Sequence, residues 1–465
     1  MIITRMVAFK KTSILLFATL ISCAAVAQIA DSLMIRNIAD EILENGKAYE
    51  NLRYLTKNIG ARLAGSQGMV KAEKWGLKAM KDAGAEKAWM QQCMVPHWVR
   101  GGKDEATCTD LVSGSTKKSL DVVALGNSIG TGSKGIRAEV IEVDSFEDLE
   151  KKQDEIKGKI VFYNYKFNPK FIQTFHAYSD AVKYRTNGPS RAAKYGALAV
   201  IVRSMSHSTD NNPHTGSTRY DTVIKKIPAV AIGLRDADWL SSNLAKKKLK
   251  VFIRTNARFL PDTIGHNIIG ELPGSEFPEE IITVGGHLDS WDNCEGAHDD
   301  GAGCVQTIEI LRALRAIDYK PKRTIRFVLF ANEENGLRGG YKYAEEAKAK
   351  NEKHIFALES DAGGFTPRGF GFTASDEQFN KIMRWRDLIA LYGAGDFVRG
   401  GGGADIGPLN RGLGTAIAGL NPDSQRYFDI HHSRNDVFEN VNKRELELGA
   451  VNMAALIFLV DKYGL

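Results

Sequence analysis

Three apolar runs in the second half of the chain, Ile281–Val284, Thr324–Phe330 and Ile355–Leu358, are rich in β-branched and aromatic residues. Their length and composition predict strands. Between them apolar residues recur at three-residue spacing, at Val305, Ile308, Leu311 and Leu314, and a second helical pattern runs from Tyr341 to Ala349. Strands alternating with helices predict an α/β fold with a mostly parallel central sheet flanked by helices. The rhythm changes across 118–261, where Gly135–Val143, Gly158–Tyr163, Ala197–Val202 and Ala229–Ile232 read as short strands and Ser190–Tyr195 as a brief helix. A chain of 465 residues exceeds what one core organises, so this stretch predicts an inserted β-rich domain. The flanks KKSLD and FLPDT mark its crossings, which leaves 28–117 and 262–465 to build the first domain.

The N-terminus predicts a processing signal over 1–27. Arg5, Lys10 and Lys11 precede an apolar run from Ile14 to Ile21, and small residues ending in AVA lie before Gln28. The run is too short to span a bilayer, so no transmembrane span is expected. Cleavage after Ala27 is one outcome. The other is a lipobox, Leu20-Ile21-Ser22-Cys23, which leaves a lipid anchor on Cys23. Either way the chain is exported, to the periplasm or as a secreted or membrane-attached protein. Four cysteines follow, Cys93, Cys108, Cys294 and Cys304, and an oxidising compartment permits pairs such as Cys93–Cys108 or Cys294–Cys304.

The net charge of +6 is dispersed, with acids and bases interleaved and only short basic runs such as AKKKLKV, so nucleic acid is not an expected partner. RGGGGAD at Arg399 predicts a loop whose backbone approaches another group closely.

The candidate chemistry lies past the strands. His287 and Asp299 follow the first run, Glu333 and Glu334 the second, Asp361 the third, and DIHHSRND carries His431 and His432 near the C-terminus. Ligands in open α/β sheets bind beyond the carboxyl ends of the strands, where these residues fall. Imidazoles and carboxylates without paired thiolates suit zinc or a related divalent ion with open positions. Each residue also has a plainer role: an EE pair is ordinarily a solvated turn, Asp300 before GAG reads as a helix N-cap, and His97 and His298 as packing residues. Trp98 and Trp291 line a pocket or pack. Either histidine of HHS could coordinate. Asp289, two residues after His287, and Asp436, four after His432, are placed to accept the imidazoles' free protons.

The segments GARLAGSQG, PHWVRGG, GHLDSWD, AHDDGAG, ANEENG, ESDAGGF and GGADI, taken together, resemble the secreted di-zinc exopeptidases, and within them the carboxypeptidase Q-like branch, over nearly all of the mature chain. The resemblance implies two zinc ions per subunit, held by His287, Asp299, Glu334, Asp361 and His432 with Asp299 as the bridge. It implies Glu333 as the catalytic base, a cis Asp299–Asp300 peptide, and a protease-associated type of insert over 118–261 that walls the substrate pocket. Its spacing favours His432 over His431, and Cys304 stands where the family often has a small residue. The function implied is hydrolysis of dipeptides or short peptides with free termini, by a homodimer. The alternatives are a non-catalytic receptor-like relative and a single-zinc glutaminyl cyclase.

Overall fold

The computed structural model describes residues 28–465, and the expected signal and Cys23 lie outside them. Its first sheet has eight strands, in the order Lys87–Val99, Arg258–Leu272, Arg323–Phe330, Phe277–His287, Lys353–Glu359, Ala416–Pro422, Pro367–Thr373 and Asp396–Arg399. The middle four run parallel, while antiparallel pairings join the outer strands to them. All eight residues of Arg323–Phe330 are buried, as a strand covered on both faces requires. Side chains divide between the faces with the pleat. Ile325, Phe327 and Leu329 join a core under helices Gln67–Asp82, Ala302–Ala316 and Lys443–Tyr463. Val328 and Phe330 join a smaller core with Tyr343 and Ala347 of helix Arg338–Ala349 on the other face.

Helix Lys443–Tyr463 is capped by the Asn442 side chain and buried over nearly all its circumference, so it is apolar all round rather than striped. Among the described residues no helix is long and apolar enough to cross a membrane.

A second eight-stranded sheet lies between two strands of the first in sequence, in the order Thr116–Leu120, Glu105–Asp110, Leu249–Arg254, Ile136–Val143, Ile160–Tyr163, Ala199–Arg203, Ala229–Ile232 and Val122–Ala124. This corrects the expected boundaries. Position 118 falls inside strand Thr116–Leu120, and Glu105–Asp110 ahead of it pairs with both Thr116–Leu120 and Leu249–Arg254, so it belongs to the second sheet. At the other end Arg258–Leu272 pairs with Lys87–Val99 and belongs to the first sheet. The chain therefore crosses at 100–104 and 255–257. Cys93, Cys108, Cys294 and Cys304 are all unpaired, with Cys93 in the first sheet and Cys108 in the second.

Candidate metal centre

The parallel strands bring the candidate residues to one place. His287 ends strand Phe277–His287, and Glu333 and Glu334 follow Arg323–Phe330 after a turn at Asn332, whose φ is 64°. Asp361 lies two residues past Lys353–Glu359. Asp299 and Asp300 stand just before helix Ala302–Ala316, joined by a cis peptide. His432, at φ 59°, follows the short helix Tyr427–Ile430.

Asp299 is the hub. Its Oδ1 is 3.2 Å from His287 Nε2, and its Oδ2 is 3.1 Å from His432 Nε2. Asp361 Oδ1 lies 3.3 Å from the same nitrogen of His287, and Glu334 Oε2 3.2 Å from that of His432. His287 Nε2, Asp299 Oδ2 and Glu334 Oε1 are buried without a hydrogen-bond partner. Buried polar atoms are ordinarily paired, so three unpaired ligand-type atoms converging on one place fit a bound cation.

Two neighbours complicate the set. Asp300 also lies near His287 and Asp361, but its carboxylate accepts the N–H groups of His287 and Gly303, both at 2.9 Å. It thus tethers the strand end to the first turn of the helix, whose N-cap position is Gly301 and not Asp300 as the sequence suggests. His431 Nε2 is 3.7 Å from Asp299 Oδ2, and its ring stacks on His432 with centroids 3.5 Å apart. Both histidines reach Asp299, but His432 also reaches Glu334.

Burial pushes the Glu333 carboxyl up to about 8, reinforced by the charges of Asp361, Asp289 and Asp299 and opposed by His287. Burial and the charge of Asp299 likewise raise Glu334. Burial alone would lower His287, but Asp361, Asp289 and Asp299 outweigh it and hold the imidazole well above its usual range. Asp299 moves the other way, because His287 and His432 overcome its burial. The cluster as a whole carries more negative charge than its surroundings compensate.

Two expected partners are corrected. Asp289 does not orient His287 through its carboxylate, which lies 3.7 Å from Nδ1; its backbone carbonyl does, at 3.0 Å. The Asp289 carboxylate instead accepts the N–H groups of Glu333 at 2.9 Å and Glu334 at 3.3 Å. Asp436 does not hold His432. Its two oxygens accept the N–H groups of Ala297, His298 and Asp299, at 3.1, 2.7 and 3.1 Å, and so fix the backbone that aims Asp299.

Arg62, within GARLAGSQG, receives no role from sequence reasoning. It is fully buried and donates to the carbonyls of Leu288 (2.5 Å), Glu295 (2.7 Å) and Gly296 (2.8 Å), clamping the loop between His287 and Asp299. Trp98 and Trp291 are buried and meet edge to face, so they pack, although Trp291 also contacts the His432 ring edge to face. His298 stacks on Phe365. The glycine loop behaves as expected: a Cβ on Gly403 would fall 2.0 Å from the Glu359 carboxyl carbon.

A cavity of about 690 Å³ opens over the centre, lined by Asp299, Glu333, Glu334 and Asp361 together with Asn127, Tyr178, Arg185 and Arg219.

Residues 267–457 match the model of peptidase family M28. Carboxypeptidase Q of Homo sapiens is 33% identical over 441 residues, covering 94% of this chain and 89% of that protein. Carboxypeptidase Q of Xenopus laevis is 35% identical over 413 residues, covering 86% and 84%. The crystal structure of a peptidase M28 precursor from Shewanella amazonensis SB2B superposes with a TM-score of 0.88 at 30% identity, covering 94% of this chain and 98% of that one. BSAP, a zinc aminopeptidase from Bacillus subtilis, shares the fold at a TM-score of 0.64 and 21% identity, covering 88% and 94%. With relatives this similar along nearly its whole length, and with ligand-type side chains converging where its parallel strands end, the chain belongs to peptidase family M28 and is a metallopeptidase.

Proposed function

We infer that the chain is a zinc-dependent exopeptidase hydrolysing dipeptides or short peptides with free termini. The observation that carries this reading is the position of Asp299, whose two oxygens lie 3.2 and 3.1 Å from imidazole nitrogens of His287 and His432. With Asp361 on the first side and Glu334 on the second, two ligand sets share one carboxylate. A shared carboxylate of this kind would suit a pair of divalent ions, and the donor set suits zinc. Relatives named carboxypeptidase and a fold neighbour named zinc aminopeptidase support the same class. A receptor-like relative would not need Glu333, and a single-zinc cyclase would not need two imidazoles about one carboxylate.

Ions held there would acidify a water, polarise the scissile carbonyl and, by their charge, return Glu333 to its carboxylate form. Glu333 lines the cavity beside the ligand sets without joining them. It takes the proton of the attacking water and passes it to the leaving amine, a role worth about two to four orders of magnitude. Asp289 holds the Glu333 and Glu334 backbones through their N–H groups, which lets adjacent residues serve base and ligand. The second sheet's unit, read as a protease-associated insert, walls the cavity and excludes water from the bound peptide.

Two substitutions test the division of labour. Glu333→Gln should keep its metal and lose about two to four orders of magnitude in kcat. Glu334→Gln should lose metal, because a neutral amide replaces an anionic ligand. A Glu333→Gln protein that sheds its metal, or that retains near-normal turnover, would contradict these roles.

A further inference from the structure

The segment that carries His432 is anchored from the second sheet's unit. Residues 424–435 follow strand Ala416–Pro422, and the short helix Tyr427–Ile430 is their only regular structure. The second unit meets them along their length. The Thr174 hydroxyl reaches the Ser424 carbonyl at 2.8 Å and its hydroxyl at 2.9 Å, and the Ser206 hydroxyl donates to Asp429 at 2.9 Å. The Thr215 N–H donates to the His432 carbonyl at 2.9 Å. Arg434 pairs with Asp121 at 2.8 Å, and Asn435 donates to Asp210 at 2.7 Å and accepts from Asn212 at 2.8 Å. Thr174, Ser206 and Thr215 are buried. Arg185, only 5% exposed, donates to the Thr215 carbonyl at 3.3 Å and rests 3.4 Å from His432 Nδ1, so it seats that loop against the imidazole.

The two ligand sets are built differently. His287 is held within the first unit, its N–H by Asp300 and its Nδ1 by the Asp289 carbonyl, and Asp361 lies two residues past a strand of the same sheet. His432 lies in no strand and takes φ 59°, a left-handed conformation that a residue with a Cβ keeps only where its surroundings impose it. Its partner Glu334 is followed by Asn335, which also reaches across. The Asn335 side chain donates to the Asn127 carboxamide at 3.2 Å, and its carbonyl accepts from the same group at 3.3 Å. Both side chains of the His432 half thus sit on segments that the second unit holds.

We propose that the second sheet's unit is the template for the His432 half of the metal centre. Its hydrogen bonds to 424–435 and to Asn335 set His432 and Glu334, so loosening them weakens metal binding on that side while the His287 half keeps its own grip. This rests on the two-zinc reading above and goes beyond the unit's role as a cavity wall. A ligand side chain that has lost its orientation must be ordered again when metal binds, at an entropic cost. Partners that orient a metal-bound histidine contribute about 10- to 100-fold to affinity.

The test loosens the contact away from the ligands. Thr174→Val combined with Ser206→Ala removes the bonds to Ser424 and Asp429, and neither residue lines the cavity. Ser241→Ala, which removes a 2.7 Å bond to Glu142 inside the second unit, is the control. Zinc affinity is read by competition with a chelator of known strength. The combined variant should weaken one of two ions by about tenfold and hold the other within about twofold of wild type. The control should leave both unchanged, and in a His432→Ala background the combined variant should change nothing further. Should the combined variant fail to fold, Thr174→Val alone should weaken the same ion by about threefold. Both ions held as in wild type, both weakened alike, or the same loss in the control overturns the proposal and leaves the two-zinc reading standing. A single ion in wild type overturns that reading, and the same cycle then decides the proposal. Weakening that depends on His432 upholds it, and an unchanged ion overturns it. A wild type that takes up no zinc overturns both.

Discussion

Asp289→Asn separates two accounts of one buried carboxylate. Its oxygens accept from the N–H groups of Glu333 at 2.9 Å and Glu334 at 3.3 Å, while its own carbonyl, untouched by the substitution, fixes His287 Nδ1. Asparagine retains one acceptor and turns an NH₂ toward the second N–H, donor against donor. A hydrogen bond to a charged group contributes about 1.5 to 3 kcal/mol, and with the second bond long, the loss should be about 2 to 4 kcal/mol of stability. A shift of about 1 Å in Glu333 costs about 100-fold in rate. The expected variant is thus less stable in denaturant titration, close to wild type in metal content, and about two orders of magnitude slower. A carboxylate that instead oriented the His287 imidazole would show itself as metal affinity weakened by about 10- to 100-fold. Metal lost while the reloaded protein turns over normally, or wild-type stability and rate together, would refute the reasoning.

Zinc uptake by the metal-free protein should release protons, because burial and neighbouring carboxylates raise the Glu334 carboxyl, and Asp361, Asp289 and Asp299 raise the His287 imidazole despite its burial. Groups with raised values hold their protons near neutrality and must give them up to a metal, so apparent affinity should climb with pH; calorimetry in buffers of different ionisation enthalpy measures the release, and no buffer dependence would contradict it. Arg62→Met should remove three hydrogen bonds to the carbonyls of Leu288, Glu295 and Gly296 at a cost of about 3 to 5 kcal/mol. Thermal unfolding and metal analysis check it: both stability and zinc retention should fall, and an unchanged melting temperature would show that the loop stands without its clamp.

The metal-side side chains were legible because a parallel sheet writes itself as continuous apolar runs, and each run here ends three positions before a candidate acid or imidazole: Val284 before His287, Phe330 before Glu333 and Leu358 before Asp361. Their partners were not legible. Proximity in sequence places Asp289 beside His287 and Asp436 beside His432, but a carboxylate bonds to whichever N–H groups the loops turn toward it, and those belong to Glu333, Glu334 and 297–299. Arg62 and Arg185 come from distant segments and carry no local periodicity that marks them as buried. The start of the second sheet was missed because EATCTD, strand Glu105–Asp110, has no apolar run and is defined only by the two strands it pairs with. The adjacent histidines remain close enough in space that both reach Asp299, and only the contact with Glu334 distinguishes His432.

The most direct measurement is the zinc content of the purified, exhaustively dialysed protein, read by plasma mass spectrometry alongside hydrolysis of a dipeptide. A centre in which Asp299 is shared between the His287 and His432 ligand sets predicts about two zinc ions per chain, with activity abolished by a chelator and restored when both are returned. One ion at saturation with full activity, or hydrolysis that survives complete removal of metal, would contradict it.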